Sequence, residues 1–337
     1  MSGRRNEAGR EEAVPRAAGL SCLRASSRRG IALLMVLWVL VMLSIVALSF
    51  LKSSRWNSAS TRNLKDETLS YYLALSGYEE AVNYLVSDKA PEYDFIDGEG
   101  NFWIDSETQP VTGRRSTGDG DVEILINDEN ARININFANR ERLTQLFAYC
   151  GVKQDELNGI IDSVLDWKDA DSDHRLSGAE DEYYGSLQEP YKAKNALFDV
   201  PEELAMVKGM KPEYLHGGEG AARPLLPLIT TFGRSGLNIN TVSKEVMELL
   251  GLNEVEIETI LKQRNKDYGG FRFAPQQFSA RGLNAVAAQN FRIEVTAKTP
   301  NSPIASKVIG VVNRQPSPDG VKFKTIYWSE RAETVRT

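Results

Sequence analysis

The chain has 337 residues, 42% hydrophobic and 26% charged, with a net charge of −6, two cysteines and two histidines. That length allows one to three folded units. There is no CxxC spacing or Cys/His cluster for structural zinc, and neither His174 nor His216 stands in a nucleophile or metal constellation. The first thirty residues hold seven arginines against three glutamates, so without that surplus of four the remainder carries −10. A body that acidic repels phosphate backbones and argues against nucleic-acid binding.

The first element is an apolar run, Ile31 to Leu51, preceded by Arg28-Arg29-Gly30 and followed by Lys52 and Arg55. As a helix its 21 residues reach about 30 Å, enough to cross a bilayer. The stronger basic flank is N-terminal, which predicts export of everything after the run. A secretory signal peptide would also start this way, with Ala47-Leu48-Ser49 as a passable cleavage site, but the run is long for a signal sequence. The residues beyond Arg55 weigh further against a signal peptide. Leu64, Tyr71, Leu75, Tyr78, Val82 and Leu85 recur at helical spacing, and no proline occurs between Ile31 and Ala90. The simplest expectation is one helix of roughly fifty-five residues, apolar all round in its first half and packed on a globular body through one face in its second.

Beyond Pro91, glycine and aspartate abound and one strand is clear, Asp121 to Ile126. Three more are expected at Phe291–Lys298, Lys307–Asn313 and Val321–Trp328, separated by turn-forming prolines. Antiparallel strands under the long helix make an α+β unit. Between the strand groups, from about residue 139 to 290, the pattern is helical and weakly repetitive. Ile133-Asn134-Ile135-Asn136 precedes a helix ending at Gly151, and Leu237-Asn238-Ile239-Asn240 precedes one ending at Gly251, each with a second helix beyond; Val207 to Met210 is a shorter echo. Helix, glycine turn, helix is the form of helix-hairpin-helix DNA-binding units. Those need a second glycine two residues on, where this chain has Lys153, Asn253 and Lys211.

Asp169 to Glu180, DADSDHRLSGAE, has the spacing of a calcium loop. Asp169, Asp171 and Asp173 would take positions 1, 3 and 5, the Arg175 carbonyl position 7, Ser177 position 9 and Glu180 position 12, with Leu176 as the apolar anchor. His174 stands where glycine usually permits the turn, and no clear helix is expected after the loop. Acidic pairs such as Glu202/Glu203 solvate a helix start rather than build a hydrolase site, and no enzyme is expected.

A basic stretch, a glycine, an apolar helix half and an amphipathic half resemble the type IV pilin and type II secretion pseudopilin class. That resemblance implies cleavage between Gly30 and Ile31 by a prepilin peptidase, with methylation of the new terminus, and would make residues 1–30 a leader. The class usually has glutamate at the fifth mature position, where this chain has Met35. Val164 to Asp171, Gly178 to Tyr184, Pro190 to Asn195, Asp199 to Gly209 and Leu237 to Thr241 resemble, more narrowly, the general secretion pathway protein K family, whose members also lack that glutamate. The resemblance implies a pilin-like long N-terminal helix on an antiparallel sheet with a large inserted all-α domain of helix-hairpin-helix or SAM-like repeats. The expected division is 31–51 transmembrane, 52–90 amphipathic, 91–138 and 291–337 pilin-like, and 139–290 inserted. It further implies bound calcium and a single-pass inner-membrane protein with a periplasmic body. Its role would be that of a minor pseudopilin at the pseudopilus tip, with minor pseudopilins I and J and other pseudopilins as partners. A membrane-anchored helix-hairpin-helix DNA-uptake receptor is the competing reading.

Overall fold

The computed structural model describes residues 26–218, 223–233, 236–265, 267, 269–318 and 320–334; the rest of the expected leader lies outside them. Helix α1 spans Ser26–Val86. The chain divides into two compact units, residues 1–62 and Asn63–Thr337. In the first, α1 is long and apolar enough to cross a membrane, and no residue from 31 to 62 is buried.

The second unit contains the strands β1 (Phe95–Ile96), β2 (Phe102–Trp103), β3 (Gly113–Thr117), β4 (Gly120–Asp128), β5 (Ile133–Asn134), β6 (Ile229–Thr230), β7 (Asn290–Lys298), β8 (Ile304–Ser317) and β9 (Gly320–Thr334). Five of them form one antiparallel sheet in the order β3-β4-β7-β8-β9. The three C-terminal strands are longer than the sequence suggested, because their polar ends continue the ladder after the apolar alternation stops. Register stacks Ile124 against Val295, and Val295 against Val308. Each such aliphatic side chain is worth roughly 1.5–3 kcal/mol when buried, and a one-residue slip would turn the row to solvent.

The remainder of α1 covers this row through a line that shares only Tyr78 and Leu85 fully with the stripe expected from hydrophobicity, with Tyr71 and Val82 packed at its edge. Leu64 is exposed, and Leu75 and Val82 are only half-buried. The buried line is Ser70, Ala74, Gly77, Tyr78, Ala81, Tyr84 and Leu85. Small residues bring the helix close to the sheet: a β-carbon on Gly77 would stand 2.9 Å from Val295 Cγ1 and 3.0 Å from Val122 Cγ1.

Between β4 and β7 in sequence come α2 (Arg140–Tyr149), α3 (Gln154–Lys168), α4 (Asp181–Gly185), α5 (Pro212–His216), α6 (Lys244–Leu249), α7 (Glu254–Gln263) and α8 (Gln276–Ser279). They share a second core that includes Leu146, Phe147, Ile161, Trp167, Met247 and Ile260.

The weak repeat in the sequence is a close structural duplication. Asn139 and Ser243 cap α2 and α6 through their side chains. Gly151 and Gly251 end those helices at φ +82° and +77°, conformations that favour glycine. Asn134 and Asn238 accept the amides of Asn136 and Asn240. Asn136 in turn grips both the N–H and the C=O of Phe198, as Asn240 grips those of Phe271. A cation closes each unit: Lys168 Nζ donates to the carbonyls of Ile135, Asn136 and Ala138, and the Arg264 guanidinium to those of Ile239 and Val242. Val207 to Met210 is a shorter echo: a 3-10 turn, Gly209 at φ +82° and the N-cap Lys211 of the one-turn α5, without the paired asparagines and closing cation of the two larger units.

Candidate functional site

The site is built where α3 ends. Its apolar face buries Leu157, Ile160, Ile161, Val164 and Trp167, and two carboxylates share that burial, Asp162 and Asp166. Asp162 pairs with Arg140 and accepts the Ser177 amide at 3.1 Å. Asp166 organises the loop. It accepts the Arg175 amide at 3.1 and 3.2 Å, the Ala179 amide at 2.9 Å and Arg175 Nη1 at 2.5 Å. Gly178 packs directly on the Asp166 carboxylate, leaving no room for a side chain.

Two of the expected residues meet here. Asp169 ends α3 and accepts Arg175 Nη1 through Oδ2 at 2.6 Å, while its Oδ1 is buried with no hydrogen-bond partner. Glu180, only 5% exposed, precedes α4, and neither of its carboxylate oxygens has a hydrogen-bond partner. Burial first, then the negative charges of Asp166, Asp169, Asp181 and Asp171, push the Glu180 carboxyl up to about 6.

The other expected ligands are arranged differently. Asp173 is exposed, and its amide donates to Asp171 Oδ1. Ser177 contributes its amide to Asp162. The Arg175 carbonyl accepts from the Gly178 amide, so this residue meets the cluster through its guanidinium instead. Leu176 is no anchor, being 99% exposed, and a one-turn helix, α4, does follow the loop. Among the described residues, no three His, Cys, Asp or Glu groups converge tightly enough to cage a metal. Oxygens that remain available to a hard cation are Asp169 Oδ1 and both of Glu180, an all-carboxylate set with no soft donor.

Asp166 and Lys168 were not singled out from the sequence. A carboxylate on the apolar face of a helix is the signal that marks Asp166. Lys168 donates to its three carbonyls; burial and then the charge of Arg175 lower it to about 8, with the charge of Asp169 opposing that fall.

Because Glu180 titrates above its ordinary value, its sign of linkage is fixed. The stabilisation from protonating it is complete below the ordinary carboxyl range and is lost as pH rises through about 6. In chelator, the chain is therefore expected to melt higher at pH 5 than at pH 7.5 in thermal scans. Glu180→Gln should shrink that difference, leaving what Asp94 and Asp128 contribute in the same direction.

Gly30, Ile31 and Met35 are exposed on α1. Lys153, Asn253 and Lys211 are N-cap residues of α3, α7 and α5. Asn253 closes a capping box with Glu256, and Lys211 Nζ is held by Glu156. Cys150 is buried, which pushes its thiol up to about 12 and makes it inert packing.

A long N-terminal helix, an antiparallel sheet and an intervening helical region place the molecule in the α+β, pilin-like class. Residues 123–217 match the family model "Type II secretion system (T2SS), protein K". The chain is 26% identical to type II secretion system protein K of Pseudomonas aeruginosa over 256 residues, 71% of this chain and 73% of that one. It is likewise 26% identical to the Klebsiella pneumoniae protein over 259 residues, 70% and 75% of the two chains. A chain of the crystal structure of the GspK-GspI-GspJ complex from the enterotoxigenic Escherichia coli type 2 secretion system shares the fold. Its TM-score is 0.58 at 15% identity, over 81% of this chain and 99% of that one. The resemblance to protein K read from the sequence is thus borne out.

Proposed function

We propose that this chain is a minor pseudopilin of the K type. It is anchored in the inner membrane by α1, carries its body in the periplasm, and initiates or caps a type II secretion pseudopilus with minor pseudopilins I and J. The observation that carries this reading is the joint presence of a membrane-length helix and the protein K match over residues 123–217. Arg28 and Arg29 ahead of the apolar run support a cytoplasmic N-terminus.

Met35 supports a position at the tip. In filaments of this kind a carboxylate at that depth would answer the ammonium of a neighbour's N-terminus, and an unpaired one costs about 2.5–3.5 kcal/mol on insertion scales. A subunit with nothing ahead of it has no use for the carboxylate. The helical insertion between β4 and β7 would likewise obstruct addition of a further subunit. Labelled chains on isolated pseudopili should appear once, at one end; copies distributed along the shaft would refute the assignment. Processing by a prepilin peptidase predicts a mature N-terminus at Ile31, methylated, by intact mass and terminal sequencing. A start after Ser49 would indicate a signal peptide instead.

Calcium is the metal this reading assigns to the acidic loop, held by Asp169 and Glu180 with Asp166 and Asp171 beside them. It would supply the positive charge that these carboxylates lack. The chain's own part is to hold the loop in place through the amides that Asp166 accepts. In detergent, the full chain should melt lower with a chelator and recover with calcium, and magnesium should substitute poorly because it requires a tighter octahedron. A melting point indifferent to both would leave the loop a solvated surface.

A further inference from the structure

The loop already contains a cation of its own. Arg175 Nη1 bridges Asp166 Oδ1 at 2.5 Å and Asp169 Oδ2 at 2.6 Å, and the guanidinium is still partly open to solvent, its side chain 37% exposed. Among the groups around it, Lys168 is committed to carbonyls, while Asp171 and Asp181 add further negative charge. One guanidinium therefore meets the carboxylates of Asp166 and Asp169, while Glu180 remains buried without a partner on either oxygen.

We infer that Arg175 is an internal competitor of the divalent cation: its guanidinium holds Asp166 Oδ1 and Asp169 Oδ2, directly beside the free Asp169 Oδ1 that the metal would take, so this side chain sets how tightly the loop binds metal. This rests on the calcium reading proposed for the loop. The physical basis is mutual exclusion of charge. A metal on the free Asp169 Oδ1 would stand against a guanidinium that already holds the Oδ2 of the same carboxylate, and two cations that close repel strongly. Metal binding thus requires the guanidinium to withdraw, and its partial exposure gives it water to withdraw into. The same contact has a second effect. It ties positions 166, 169 and 175 together before any metal arrives, so the loop keeps its fold at low calcium and yields only when calcium is abundant. Arg175 acts on the metal through shared carboxylates and is a tuning residue, not a ligand.

Calcium titration calorimetry on the full chain in detergent, paired with thermal melts in chelator, tests this. Arg175→Gln should bind calcium about tenfold tighter yet melt lower than wild type in chelator. Arg175→Lys, which keeps the charge but loses the planar fork, should fall between them on both measures and guards against misfolding of the glutamine variant. If both variants bind calcium no more tightly than wild type, Arg175 is a structural prop of the loop and the inference fails while the calcium reading stands. If wild type and variants alike show no calcium binding, both fall.

Discussion

Replacing Arg314 with methionine is expected to lower the unfolding free energy by about 3–5 kcal/mol, the usual loss when one partner of a buried ion pair is removed. In a unit of this size that corresponds to a drop in melting temperature on the order of 10 °C. Arg314 lies on β8 with its side chain 7% exposed, and donates to Asp88 Oδ2 at 2.7 Å, to Asp94 Oδ1 at 2.9 Å and Oδ2 at 3.2 Å, and to the Pro91 carbonyl at 2.9 Å. Both aspartate side chains are fully buried. One guanidinium thus fixes the segment that leaves α1 to β8, the strand next to the sheet's edge. Burial raises both carboxyls above their ordinary range and Arg314 opposes that rise. Without it they would climb further, so the folded variant would hold more protons than the unfolded chain. Its loss of stability should therefore be greater at pH 8 than at pH 5. Thermal melts at the two pH values check this, and adding Asp88→Asn should recover part of the loss. A variant that melts like wild type at both would mean the cluster is dispensable.

A methyl group at Gly310 should be nearly as damaging. A β-carbon there would stand 2.5 Å from Cε2 and 2.6 Å from Oη of Tyr78. That ring is itself fixed, 4% exposed and edge-on to Trp328 with centroids 4.8 Å apart. With no slack on either side, Gly310→Ala must push α1 away from the sheet or turn the ring out, at a cost of about 1–3 kcal/mol or more. Tyr78→Leu should lose stability alone through a cavity. Combined with Gly310→Ala it should lose less than the two single effects summed, since the leucine vacates the space the methyl needs. Additive losses in denaturant unfolding would show that the contact is not the cause.

How much of the molecule is legible in its sequence depends on whether the signal is periodic or spatial. The apolar run, the strand alternation around Ile124 and Val295, and the glycine-ended helices at Gly151 and Gly251 are local patterns, and they place the elements well. Hydrophobicity misplaces the seat of α1 because it favours Leu64 and Leu75, whereas close packing selects Ala74, Gly77 and Ala81, which weigh little on any hydropathy scale. At the acidic loop, spacing brings out Asp169 and Glu180. It also gives Asp173 and Ser177 roles that the backbone does not support, and passes over Asp166, whose importance comes from facing inward on α3. The triad of Asp88, Asp94 and Arg314 joins residues more than two hundred positions apart, and no linear pattern announces it.

The two clips closed by Lys168 and Arg264 also differ in length in an informative way. From Asn139 to Gly151 is twelve residues, and from Ser243 to Gly251 is eight; from Lys153 to Lys168 is fifteen, and from Asn253 to Arg264 is eleven. Each difference is four residues, close to one full turn at 3.6 residues per turn. Lengthening a helix by a whole turn returns its last side chain to the same compass bearing, so the terminal cation still faces the carbonyls it must reach. Insertions of one or two residues would swing that cation away and leave Ile135 or Ile239 without its donor. The hairpins can accordingly drift in size only in turn-sized steps, and two copies can diverge almost beyond recognition in sequence while closing by the same latch.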